Sequence, residues 1–289
     1  MATFESMGPG LVFAFAVGLA VGSFLNVVIH RLPRGASIVR PRSHCPSCHA
    51  PIAARHNVPL LSYLWLRGRC RDCAARISPR YPAIELSTGL AFAALFATHG
   101  VSPVTPLWWA FAAALIAAAV VDFDCGLIPD EISLGGLALG LAALPAARGL
   151  DGHPYWIALA QGALGAALGA GSLWAVGFAH ARLSVALGRS FPHWPGEGEA
   201  PPRPGSLDYW MWFPGLGFGD VKLLGMVGAF LGPVGALQTI LLASLLGLPL
   251  GLWLARRSGG IAAPFGFGPA IAAAALVIAL LAPDGIWPV

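Results

Sequence analysis

Charge is what this sequence has least of. Only 10% of its 289 residues are Asp, Glu, Lys or Arg, against about 25% in an ordinary soluble domain, while 57% are hydrophobic. A water-soluble globule is excluded, because the long Ala, Leu, Val and Gly runs leave no polar exterior, and lipid must be the solvent for most of the chain. The first apolar run has no basic region ahead of it in MATFESMGPG and no small-residue cleavage site behind it. Leu11 to Ile29 is therefore expected to be a retained span rather than a signal peptide. No internal repeat is visible, and no glycine-rich strand-turn-helix fingerprint for a nucleotide cofactor. Cysteine is sparse as well, yet four of the five fall in one polar segment.

A spanning helix needs about 20 apolar residues at about 1.5 Å each, and that ruler divides the chain. The expectation is an all-α polytopic membrane protein of about eight transmembrane helices, with a small zinc-binding cytoplasmic module between the first and second. Residues 1–30 hold the first helix, 31–82 the module, and 83–289 a membrane domain of the remaining helices. Their predicted positions are Ala83 to Thr98, Pro106 to Val121, Glu131 to Ala146, Tyr155 to Ala179, Val221 to Leu231, Val234 to Leu254 and Ile261 to Ala282. A proline-rich stretch with Pro192, Pro195, Pro201, Pro202 and Pro204 predicts an irregular cytoplasmic loop over 182–219. The aromatic run Tyr209 to Phe213 at its end suits a membrane interface.

The net charge of +4 is modest, but ten of the seventeen basic residues, all Arg, lie between Arg31 and Arg80. Basic residues beside apolar spans mark the cytoplasmic side, a better account of this cluster than nucleic-acid binding. Counting crossings from there puts the turn from Asp122 to Asp130 and the loop 182–219 on the same side. Arg256 and Arg257, not used to set the orientation, also fall inside. The eleven residues Val221 to Leu231 span only about 17 Å, too short for a core of about 30 Å. That shortfall sinks Asp220 below the membrane surface, where an ionisable residue is a functional candidate.

Three carboxylates crowd the block Asp122-Phe123-Asp124-Cys125-Gly126-Leu127-Ile128-Pro129-Asp130. Asp130 can cap the helix that follows and Asp124 can be solvated in the turn. Asp122 directly follows the apolar run Ala117 to Val121, where a short carboxylate cannot snorkel, so it needs a partner or a function. A second block reads Gly215-Leu216-Gly217-Phe218-Gly219-Asp220-Val221-Lys222. Its glycines let another backbone approach the head of a helix. The bland reading is a flexible hinge with Asp220 as helix cap, paired to Lys222. The alternative is that Asp122 and Asp220, assigned to one face, converge. Two carboxyl groups in one site share a proton, one serving as base to a water and the other as acid to a carbonyl oxygen.

Cys45-Pro46-Ser47-Cys48 and Cys70-Arg71-Asp72-Cys73 are two Cys-x-x-Cys knuckles with twenty-one residues between them. That spacing reads as a four-thiolate zinc site, which leaves the metal no open position and makes it structural. A disulfide framework does not suit the reducing side of the membrane. His44, His49 and His56 read as surface residues rather than ligands, and Cys125 as an ordinary small residue.

With these blocks in hand, the chain resembles the bacterial type IV prepilin peptidases, members of the Gly-x-Gly-Asp group of intramembrane aspartyl proteases. The likeness also rests on Gly22 to Pro33, Asn57 to Tyr63, Arg67-Gly68-Arg69-Cys70, Arg80-Tyr81-Pro82 and Glu85-Leu86. It implies catalysis by Asp122 and Asp220, with Asp124, Asp130, Gly217, Gly219 and Lys222 in support. It implies an inner-membrane enzyme that removes the basic leader from prepilins or type II secretion pseudopilins at the cytoplasmic face. It implies, too, a second activity, N-methylation of the new terminus with S-adenosylmethionine, to which Gly68 and Glu85 are plausible contributors. The competing readings are an ion-coupled transporter that uses the aspartates as a relay and a non-catalytic assembly factor.

Overall fold

A computed structural model describes residues 4–189, 202–211, 213–214, 216–258 and 266–281. Pro192, Pro195, Pro201, Trp212 and Gly215 lie outside the described residues. The described chain is helical, with isolated bridges but no strand. Among the described residues, five helices are long and apolar enough to cross a membrane, and the helix over 80–99 is not one of them. The chain divides into two compact units, residues 1–121 and 122–289.

In the first unit, α1 (Phe4–Arg31) and α3 (Arg80–His99) pack along one another. Small residues let them close: a Cβ on Gly18 would lie 2.7 Å from the Cα of Gly89, and one on Gly22 2.7 Å from the Cα of Glu85. Lipid offers no hydrophobic drive for helices to associate, so close backbone approach supplies the contact. Asn26 Nδ2 donates to the Tyr81 carbonyl at 3.3 Å and ties the ends of the pair. Between them lies the polar segment, with the short helix α2 (Leu61–Trp65). Helix α4 (Thr105–Cys125) follows, and its last turn opens the second unit.

The second unit is organised round α9 (Phe218–Ser258), which is broken at Gly232 (φ 68°, ψ −176°) just before Pro233. Only glycine holds that backbone readily, and proline cannot continue the hydrogen-bond ladder. The first arm, Phe218 to Leu231, is about 21 Å long, shorter than a bilayer core. Its surroundings explain how so short a helix survives: Leu223, Leu224, Met226, Val227, Ala229, Phe230 and Leu231 are all fully buried. A helix closed in by protein on every side need not reach across the lipid. The arm begins three residues earlier than the expected Val221.

Glycines on the neighbouring helices make room for it. On α7 (Tyr155–Ala186), a Cβ at Gly165 would reach 2.7 Å from the Cα of Gly232, and one at Gly169 2.5 Å from the Leu224 carbonyl oxygen. On the other side, α5 (Asp130–Ala138), a π-helical turn at Leu139–Ala143 and α6 (Leu144–Leu150) present Gly136 to Met226 and Gly140 to Phe230. Helix α10 (Gly268–Leu281) packs on α9 as well. Where an irregular loop is expected from Arg182, α7 instead continues to Ala186.

Gly165→Ala is expected to destabilise this unit by about 1–3 kcal/mol, because backbone rather than a movable side chain blocks the new methyl. Gly171→Ala, on the same helix with nothing within 4 Å, leaves stability unchanged or raises it. Thermal unfolding of the two variants in detergent checks the contrast, and an equal loss from both would remove the packing argument.

Candidate active site

Asp122 lies in the last turn of α4, where the run of buried residues Ala117, Ala118 and Val121 carries its carboxylate out of solvent, only 6% exposed. Its Oδ2 accepts the backbone N–H of Gly268, at the start of α10, at 3.0 Å. An N–H at a helix start stabilises a carboxylate and fixes its plane. Gly266 and Gly268 have no room for a side chain: a Cβ on Gly268 would sit 2.7 Å from the same Oδ2, and one on Gly266 would collide with the carboxyl group outright. Sequence reading assigned neither glycine a role and placed both inside a span. The available signal was a second Gly-x-Gly, at 266 and 268, just before Pro269, where proline suits the first turn of a helix.

Asp220 occupies the first turn of α9 and is 7% exposed. Its N–H donates to the Gly217 carbonyl at 3.1 Å, while its carboxyl Oδ1 is buried with no hydrogen-bond partner among the described residues. Both carboxyl groups are thus buried within the second compact unit. A buried polar atom without a partner calls for an explanation.

The two motifs also meet through their neighbours. A Cβ on Gly219 would lie 3.2 Å from Ile128 Cβ, so the glycine lets the head of α9 close on the Ile128-Pro129 turn. Lys222, the chain's sole lysine, donates to Asp130 Oδ1. The expected capping role of Asp130 and the bland alternative for Lys222 are both corrected. Asp130 is the first residue of α5 and not its cap, which is Pro129 without a side-chain bond, and Lys222 pairs with Asp130 instead of Asp220. Asp124 is exposed in the last turn of α4.

The segment leading into the second motif, which contains the short helix α8 (Leu207–Met211), is held on α7. Trp174 Nε1 donates to the Trp210 carbonyl at 2.8 Å, and Arg182 Nη2 to the Tyr209 carbonyl at 2.9 Å, with its guanidinium 3.7 Å above the Tyr209 ring. Phe213 is buried with Ala181. Of the aromatic run read as an interfacial anchor, Phe213 is buried in protein while Trp210 and Met211 stay exposed.

In the polar segment, the four sulfurs of Cys45, Cys48, Cys70 and Cys73 lie within 4.8 Å of one another, none in a disulfide. The knuckles repeat one geometry. Cys45 N–H donates to Ala50 O and His49 N–H to Cys45 O; Cys70 N–H donates to Ala75 O and Ala74 N–H to Cys70 O. His49 and Ala74 both have φ 57°. N–H groups of Cys48 and Ser47 hold the Cys45 thiol down to about 6. Cys48, despite the Ala50 N–H, is pushed up to about 12 by desolvation and the thiols round it. One thiolate forms readily and further ones repel, so the cluster is suited to collect its charge round a cation.

A cavity of about 500 Å³ in the same segment is walled by Tyr63, Gly68, Arg69, Arg76 and Ile77. Gly68 has φ 66°, the left-handed region that favours glycine, with the Tyr63 hydroxyl 3.0 Å from where a Cβ would stand. Glu85 is away from that wall. It is buried in α3, and its Oε2 accepts the N–H of Leu60 at 2.8 Å.

Comparison with known proteins gives a single answer. Residues 16–99 match the Bacterial Peptidase A24 N-terminal domain, and residues 109–252 match the Type IV leader peptidase family. The chain is similar to a prepilin leader peptidase/N-methyltransferase of Aeromonas hydrophila, 36% identical over 96% of this chain and 91% of that protein. The protein of the same name from Klebsiella pneumoniae is 37% identical over 80% of this chain and 90% of its own length. The one from Neisseria gonorrhoeae is 32% identical over 95% and 91%. No solved structure matches.

Proposed function

The chain belongs to the type IV leader peptidase family, and on that premise we propose that it is a membrane aspartyl endopeptidase that cuts the leader from prepilin-like substrates through Asp122 and Asp220, then N-methylates the new terminus. The observation that carries the reading is the buried pair itself, Asp122 aligned by the Gly268 amide and Asp220 with one unpartnered oxygen. In this mechanism one carboxylate takes a proton from a water lodged between the two while the other, protonated, donates to the scissile carbonyl oxygen; the pair shares the proton at rest. Gly217 leaves backbone room for an extended peptide beside Asp220, while Gly219 lets the head of α9 close on the Ile128 turn and the Lys222–Asp130 pair holds the two motifs together. Asp124 is kept as a minor contributor, through the charge it adds to the turn.

The protein is a multi-pass inner-membrane protein. Its active site and cysteine module are assigned to the cytoplasmic face, which the ten Arg residues from Arg31 to Arg80 support. Substrates are taken to be prepilins or pseudopilins, whose basic leaders and apolar helices would straddle that face. A transporter relay is not favoured, since the chain's relatives are peptidases and its acids cluster at one end of their helices.

The metal is assigned as Zn²⁺. A tetrahedron with metal–sulfur bonds of about 2.3 Å has edges of about 3.8 Å, and Cys45 Sγ to Cys73 Sγ is 3.8 Å. One zinc per chain is expected by elemental analysis. A Cys48→Ser variant, or prolonged exposure to a strong chelator, should release it and make residues 36–78 sensitive to protease. A module that resisted digestion without metal would sink the structural role. S-adenosylmethionine supplies the methyl group when bound. Tyr63 and Arg76 in the wall of the cavity are the groups taken to meet its adenine and its carboxylate, and Gly68, which lies under the Tyr63 hydroxyl, is taken to set the position of that ring. Glu85 would act indirectly, by holding the loop at Leu60.

The test is a purified, lipid-reconstituted enzyme given a full-length prepilin, with mass spectrometry to follow both leader loss and addition of one methyl group. An intact substrate under conditions that keep the enzyme folded would overturn the reading.

A further inference from the structure

Helix α2 presents an apolar face that none of the described residues covers. Leu61, Leu64 and Trp65, spaced so that they share one side of the helix, are 65%, 70% and 79% exposed. The opposite side is engaged: Ser62 is buried, and its Oγ accepts the Val58 N–H at 2.9 Å. Among neighbours, Val58 and Tyr81 are large apolar residues that are also exposed. In a water-facing module such a patch would be a liability.

Its height explains it. The Leu60 N–H just before α2 is bonded to Glu85, five residues into α3 and so about 7.5 Å along that helix from Arg80. At that level α3 lies against Gly22 of α1, nine residues, or about 13 Å, before Arg31. Helix α1 is itself one of the candidate spans. The start of α2 is thus drawn below the ends of the helix pair, to the depth of the headgroups and upper acyl chains, where tryptophan and leucine are favoured.

We propose that α2 is a membrane wedge, with Leu61, Leu64 and Trp65 seated in the interface of an anionic bilayer leaflet that the cationic module covers. Charge complementarity selects the lipid. Between Arg31 and Arg80 the chain carries ten Arg and one acidic residue, Asp72, a balance of +9, or about +7 once a divalent metal neutralises half the charge of four thiolates. A surface of that charge draws phosphatidylglycerol-type headgroups, and each basic residue near the surface adds to the attraction. The wedge fixes the height of the cysteine module and its cavity relative to the membrane.

The test uses the full chain in nanodiscs of mixed phosphatidylcholine and phosphatidylglycerol, with p-benzoylphenylalanine replacing Leu64. The same label replaces Leu90, 56% exposed in the middle of α3, in a second sample. Irradiation and mass spectrometry of the labelled peptides are expected to show phospholipid adducts at both positions. At position 64 they should be enriched several-fold in phosphatidylglycerol over its share of the disc, an enrichment lost in high salt. Adducts at 90 but none at 64 would overturn the wedge, and adducts at neither would remove it together with the spanning assignment of α3. Enrichment at 64 that persisted in high salt, or that S-adenosylmethionine abolished, would overturn the electrostatic part. None of these outcomes depends on leader cleavage, so the peptidase reading stands or falls separately.

Discussion

Asp122→Asn and Asp220→Asn are each expected to lower leader removal by about 10³-fold or more, because positioned general acid–base groups contribute about 10²–10⁴-fold and an amide can neither accept nor donate the required proton. The substitution keeps the volume of the side chain. This matters at position 122, where Gly266 and Gly268 crowd the carboxyl group, and an amide oxygen there can still accept the Gly268 N–H. It matters at 220, where the side chain is nearly closed to solvent. Loss of activity would then report chemistry rather than collapse, which unchanged zinc content and melting temperature can establish. Groups that work as a unit are strongly non-additive, so the double variant should be no slower than either single one. Asp124→Asn, on the exposed part of the turn, should cost less than tenfold. Time courses of leader release by mass spectrometry would separate these outcomes. Either single variant that retained a tenth of the activity would remove its residue from the catalytic pair.

What could be read from the sequence followed the range of the interactions involved. The cysteine knuckles were legible because each is a local turn, and the long gap between them needs only to bring two turns together. The buried acids were legible because a short carboxylate directly after an apolar run has few innocent explanations. Asp130 was misread as a cap because its partner, Lys222, is 92 residues away, and position before a helix says nothing of that. The first arm of α9 fell short of the bilayer ruler because the ruler assumes a lipid-facing helix. A helix wrapped by the glycines of α5, α7 and the π-helical turn need not match the membrane at all.

Gly266 and Gly268 were illegible for a related reason, since their role lies in what they leave empty beside a carboxylate 146 residues away. They give the second large prediction. Gly268→Ala keeps the amide that bonds Asp122 but sets a methyl 2.7 Å from Oδ2 and 3.0 Å from Cγ, so the carboxyl group must turn away. A displacement of about 1 Å at a reacting group can cost about 10²-fold. Cleavage by Gly268→Ala or Gly266→Ala is therefore expected to fall by about that factor, chiefly in kcat, with KM little changed because the displaced group acts on substrate already bound. Methyl transfer to a peptide already freed of its leader should proceed at the parental rate, since that chemistry is assigned to the cysteine module. This contrast distinguishes a displaced aspartate from a general loss of fold, which would lower both activities together. Full cleavage by Gly266→Ala, whose new methyl would collide with the Asp122 carboxyl group, would mean that the acid is free to move and that α10 has no part in aligning it.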